Sequence, residues 1–187
     1  MTTSKLKPIS SSQFPMARIS YRILFILAGT ILLLDQFTKW VVERTLPFES
    51  SYYPPDRISV IENVFYIVHI GNEGAAWGLF SDFKGWLMLM AFIVLALIYF
   101  ARRHFQLERS CMQIAFGALI GGILGNLIDR FRTGYVIDFI DIHLPFTVPI
   151  ILSDGRWPAF NIADSAIVIG LFYYLILSLA DSRSKIR

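Results

Sequence analysis

Cysteine is almost missing from this chain: Cys111 is the only one among 187 residues. An intrachain disulfide and a cysteine-based metal cluster are therefore excluded. Histidine is scarce as well, and His69, His104 and His143 show no paired metal-ligand spacing. No serine lies in a Gly-x-Ser-x-Gly context, so the strained nucleophile turn of many hydrolases is absent. Neither an internal repeat nor a coiled-coil heptad is visible. Charged residues make up only 17% of the chain and sum to a net +3. The lysines and arginines are scattered between apolar segments rather than gathered on one polar face, which argues against nucleic acid as a partner.

Apolar residues are what the chain has in excess: 55% are hydrophobic and the mean hydropathy is +0.56. That is too apolar for a soluble domain of this length. Four stretches, at about 21–42, 85–101, 111–128 and 160–180, carry it. Each is near the roughly 17–25 residues that cross about 30 Å of hydrocarbon. The expected fold is an all-α polytopic membrane protein: one domain over 21–180, with four transmembrane helices and a small extracytoplasmic β-rich cap. Residues 1–20 read as a polar cytoplasmic tail. No small-residue cleavage site follows the first apolar run, so that run reads as an uncleaved helix. The basic turn around Arg102, Arg103 and Arg109, with the basic tail 181–187, places both termini in the cytoplasm by the positive-inside rule. Two loops then face outward. The first holds residues 58–70, β-branched and aromatic, partly alternating and bounded by turn residues, which predicts short strands.

On this topology the polar residues fall on one side. Asp35 and Lys39 lie toward the outer end of the first span, and Asn72 lies in the first outer loop. Asn126, Asp129 and Arg130 end the third span, Asp138 follows, and Asn161 and Asp164 open the fourth. Ionisable groups at membrane depth are costly and point to function. Ordinary readings exist for several of them. Asp35 and Lys39, four apart, fit an interfacial ion pair. Asn161 through Asp164 fits a helix cap with an acid in the first turn. Arg130 fits a side chain snorkelling to headgroups. Gly117, Gly121 and Gly125 form a small-residue ridge for close helix packing. Asp138 resists such a reading, because it interrupts Val136-Ile137 and Phe139-Ile140, where a lone buried carboxylate is unfavourable. With Asp164 on the same rim it suggests a carboxylate pair sharing one proton, an arrangement suited to hydrolysis.

Five motifs, in order, carry a specific likeness: Asp35-Gln36-Phe37-Thr38-Lys39, Asn72-Glu73-Gly74-Ala75-Ala76-Trp77, Gly121 through Arg130, Val136-Ile137-Asp138-Phe139, and Phe160-Asn161-Ile162-Ala163-Asp164-Ser165. Over about 21–180 the chain resembles bacterial lipoprotein signal peptidase, or signal peptidase II. The resemblance implies an aspartic endopeptidase of the bacterial inner membrane, with its active site at the periplasmic face. Its substrates would be diacylglyceryl-modified prolipoproteins, cut just before the lipidated cysteine. Asp138 and Asp164 match the two catalytic aspartates. Asn126, Arg130 and Asn161 match residues that hold substrate, and Asn72 and Asp35 match supporting positions. Asp129 reads as structural, turned from the side shared by Asn126 and Arg130 or paired with a local base. Trp77 and Phe80 are candidate anchors of the cap in the interface. Asp141 and Asp154, in a second outer loop longer than the family pattern, are decoy carboxylates. No metal or organic cofactor is implied; the expected partners are the substrate and membrane lipid, and the expected state is a monomer. The alternative is a small proton-coupled transporter, against which stand the one-sided placement of the acids and the lack of repeat symmetry.

Overall fold

A computed structural model describes residues 20–50, 56–74, 84–147 and 155–184. The tail 1–19, the two aromatics Trp77 and Phe80, and Asp154 lie outside the described residues. The elements are α1 (Arg22–Thr45), β1 (Ile58–Ile61), β2 (Phe65–Asn72), α2 (Lys84–Phe100), α3 (Ser110–Arg132), β3 (Val136–Ile142) and α4 (Ile162–Ser184). Their order matches the four apolar runs and the strand-prone first loop. Three helices, α1, α3 and α4, are long and apolar enough to cross a membrane. The fourth, α2, is apolar but has 17 residues, about 25 Å at 1.5 Å per residue.

Helix α3 is the axis of the bundle. In its apolar window 61% of residues are buried, against 22% in α1 and 17% in α4, so α3 is wrapped by the other two. The glycine ridge makes that possible. A methyl group on Gly121 would stand 2.8 Å from the Ala28 carbonyl oxygen of α1, and one on Gly122 would collide with the Ala163 carbonyl of α4. Glycines on two sides of one helix let two neighbours approach at backbone distance. Along α1 and α4, large side chains such as Phe25, Leu33, Ile169 and Phe172 stay more than 60% exposed, as a lipid-facing surface requires. Gly134, at φ +85°, ends α3: its N–H donates to the Arg130 carbonyl while that of Thr133 donates to Asp129.

The strands form one antiparallel sheet in the order β1-β2-β3. Strand β3 comes from the second loop and was not legible as a strand. Val136, Ile137, Asp138 and Phe139 are all buried, so the alternation that marks a half-exposed strand is missing. On one side β3 pairs with β2, Ile70 opposite Asp138 and Asn72 opposite Val136. On the other side the segment 155–160 docks against it: Phe160 exchanges backbone hydrogen bonds with Ile140, and Trp157 N–H donates to the Ile142 carbonyl. This double pairing carries Asp138 to the foot of α4.

Candidate active site

The first turn of α4 is closed by a reciprocal cap. The Asp164 N–H donates to Asn161 Oδ1 at 2.9 Å, and the Asn161 N–H donates back to Asp164 Oδ2 at 3.1 Å. Thus the ordinary capping reading holds, and the same two residues also form the site. Asn161 Nδ2 donates to Asp138 Oδ1 at 2.8 Å. One fully buried residue therefore bridges the two aspartates, its backbone on one and its side chain on the other. Asn72 Nδ2 donates to Asp138 Oδ2 at 2.8 Å, and Asn126 Nδ2 donates to Asp164 Oδ1 at 2.7 Å.

All three amides are oriented from behind. The Asn72 oxygen accepts the Gly74 N–H, the Asn126 oxygen accepts Lys39 Nζ at 3.0 Å, and the Asn161 oxygen accepts the Asp164 N–H. With each oxygen occupied by a donor, the NH2 has to face the carboxylate. Asp138 is 2% exposed. Burial first, and the adjoining Asp164 carboxylate second, push its carboxyl up to about 7.

Beneath this layer lies a buried charge cluster. Lys39 and Asp35 are not an interfacial pair: they are 1% and 0% exposed, 2.8 Å apart, and Asp129 joins them 2.7 Å from Lys39 Nζ. Asp129 is turned from the carboxylate pair, as expected of a structural residue, but its base comes from α1, 90 positions earlier in sequence. It also accepts from Gln36 Nε2 and from the Ile137 N–H. Asp35 accepts the Ala163 N–H at 2.9 Å. Removing one partner from a buried pair of this kind costs about 3–5 kcal/mol. Sequence reasoning placed Lys39 among the one-sided polar residues but gave it no role beyond an ion pair with Asp35, and gave Gln36 and Gly74 none beyond their place in the motifs.

Arg130 does not snorkel. Its NH2 group donates to the Gly74 carbonyl at 2.9 Å, and its buried Nε–H has no partner among the described residues. Asp141, a possible rival carboxylate, is engaged elsewhere, by Arg156 at 3.1 Å and His143 Nε2 at 3.0 Å. A cavity of about 620 Å³ opens over the site, walled by Trp157, Ile167 and Val168 and floored by Asn126, Arg130 and Asp164. Asp138 is not in its lining and meets it through Asn72, which is.

Fold and site define a class: an integral membrane protein of long apolar helices, with two interlinked carboxylates beside a largely apolar cavity. The sequence profile of signal peptidase (SPase) II matches residues 27–180. The chain belongs to the signal peptidase II family. Lipoprotein signal peptidase of Nitratidesulfovibrio vulgaris (strain DP4) is 37% identical over 161 residues, 84% of this chain and 89% of that protein. The Bacillus subtilis (strain 168) protein of the same name is 32% identical over 163 residues, covering 86% and 96%. A bacterial membrane enzyme solved by the in meso method superposes with a TM-score of 0.73 at 32% identity, covering 87% of this chain and 90% of that one. The family is one of peptidases, and nothing among these relatives supports the transporter reading.

Proposed function

We propose that the protein is an aspartic endopeptidase that removes the signal peptide of diacylglyceryl-modified prolipoproteins, cutting before the lipidated cysteine. The observation that carries this reading is the bridge through Asn161, which ties two carboxylates into one unit beside an apolar cavity. Four transmembrane helices, α2 included, hold the site at the periplasmic face, with both termini in the cytoplasm. The domain spans 21–180 and acts as a monomer.

Asp138 and Asp164 are the catalytic pair. Together they hold one proton, weighted toward the more deeply buried Asp138. Asp164 lines the cavity at the N-terminus of α4, where the helix dipole favours negative charge. It takes a proton from water as the water oxygen bonds to the scissile carbonyl carbon, while the Asp138 hydroxyl donates to the carbonyl oxygen. Asp164 then gives its proton to the leaving nitrogen as the C–N bond breaks, and the oxygen that took the Asp138 proton returns it as the carbonyl re-forms, which restores the singly protonated pair. Arg130, with its Nε–H unpartnered among the described residues, and Asn126 hold substrate backbone. Asn161, Asn72 and Asp35 support the pair. A lipidated substrate arrives laterally, along the α4 wall of Ile167 and Val168.

Incubation of the purified protein with a diacylglyceryl-modified prolipoprotein, with products mapped by mass spectrometry, tests the reading. Cleavage immediately before the lipidated cysteine is expected. Intact substrate after incubation with folded protein, or a cut elsewhere, would overturn it.

A further inference from the structure

The cavity and the dyad leave one costly feature without a task, the buried Lys39. Its ammonium has three N–H groups and three acceptors: Asp35 Oδ2 at 2.8 Å, Asp129 Oδ2 at 2.7 Å and Asn126 Oδ1 at 3.0 Å. What those acceptors hold is informative. Asp129 Oδ2 also accepts the N–H of Ile137, the residue before Asp138. Asp35 Oδ1 accepts the N–H of Ala163, the residue before Asp164. Asn126, turned by the ammonium, presents its NH2 to Asp164 itself. From one nitrogen atom, three short paths thus run to the two aspartates: two reach the backbone beside them and one reaches a carboxylate oxygen.

Asn161 and the pairing of Phe160 with Ile140 tie the two aspartates to each other directly, and the lysine cluster adds a support that ties both to α1 and α3. Asp138 rides on β3 and Asp164 on α4, while Lys39 and Asp35 belong to α1 and Asp129 and Asn126 to α3. We propose that Lys39 is a positioning residue that sets the separation and orientation of Asp138 and Asp164 by clamping Asp35, Asp129 and Asn126 on a single ammonium. The inference rests on the assignment of those two aspartates as the catalytic pair. Lys39 does not touch substrate. Its effect is on the turnover step, where a displacement of about 1 Å is enough to cost about a hundredfold in rate.

The test has to keep the net charge of the buried cluster, with Asp35 still held by the Ala163 N–H. Two carboxylates and one ammonium leave the wild-type cluster with one net negative charge, and Lys39→Met combined with Asp129→Asn leaves the same. The kcat and KM of this double variant on a diacylglyceryl-modified prolipoprotein are measured per folded molecule, beside Asp138→Asn and Asp164→Asn. The expected result is a kcat lowered about a hundredfold with KM within about threefold of wild type. The alkaline limb of the residual activity should also be displaced, since Lys39 is among the charges acting on Asp138. Wild-type kcat and pH profile in the double variant, with both single aspartate variants inactive, would overturn the proposal and leave the dyad standing. Activity persisting in the aspartate variants would instead remove the dyad. If activity only follows the folded fraction, or no folded protein remains, Lys39 is a stability element and the proposal falls.

Discussion

Asn72, Asn126 and Asn161 each give their amide oxygen to a donor behind them and their NH2 to an aspartate in front. Neutral donors hold the carboxylates in place without supplying a full positive charge, so the pair can keep a proton that an adjoining cation would drive off. This has a consequence for pH. Asp138 lies at about 7, above the ordinary carboxylate range, so it is protonated below that value and loses its proton as pH rises through it. The singly protonated pair is therefore depleted on the alkaline side. A profile of kcat/KM against pH is expected to fall above about pH 7, approaching about tenfold per pH unit. A flat profile to pH 9 would contradict the assignment of a titrating acid. At this scale the sequence was highly informative: Asp138, Asp164, Asn126, Arg130, Asn161 and Asn72 all meet at one site. Lys39 and Asp129 were not legible as partners, because 90 residues separate them and each has a nearer candidate partner in sequence.

Between elements, the contact of α3 with α4 matters most. Gly122 faces the Ala163 carbonyl, one residue before Asp164, while the adjacent Gly121, a member of the ridge, faces α1. Gly122→Ala is expected to push the first turn of α4 outward. Overpacking at such a contact costs about 1–3 kcal/mol, read as a lower thermal midpoint in detergent. Because the displaced turn carries Asp164, kcat should fall with it; unchanged stability and turnover would show that α4 has room to yield. The helices were legible because runs of apolar residues leave little choice of structure in lipid. Strand β1 and strand β2 were legible from their composition. Strand β3 was hidden because side chains on both of its faces are buried, in addition to the pairing of its two edges with β2 and with 155–160, and this erases the period-two signal on which strands are read.

Across the whole molecule, polar chemistry gathers at one end of a bundle whose flanks are apolar. The aspartate pair, the sheet and the cavity lie at the C-terminal end of α3 and the N-terminal end of α4; Cys111 and the Arg109–Asp181 ion pair mark the opposite end. A lipid-anchored substrate can reach such a site without leaving the membrane, and the exposed faces of α1 and α4 suit that environment. The orientation is testable by cysteine labelling in a Cys111→Ser background. Ser59→Cys on the exposed strand β1 should react with a membrane-impermeant maleimide in intact cells, and Glu108→Cys in the turn before α3 should react only after lysis. The reverse pattern would invert the topology.

The central claim is that Asp138 and Asp164 act as one catalytic unit. It is tested most directly by kcat/KM of Asp138→Asn and Asp164→Asn on a diacylglyceryl-modified prolipoprotein, with folding of each variant monitored in detergent. Both variants are expected to fold and to lose about 10⁴-fold or more in kcat/KM, as residues that act together do. Either variant retaining activity within about tenfold of wild type would contradict the account.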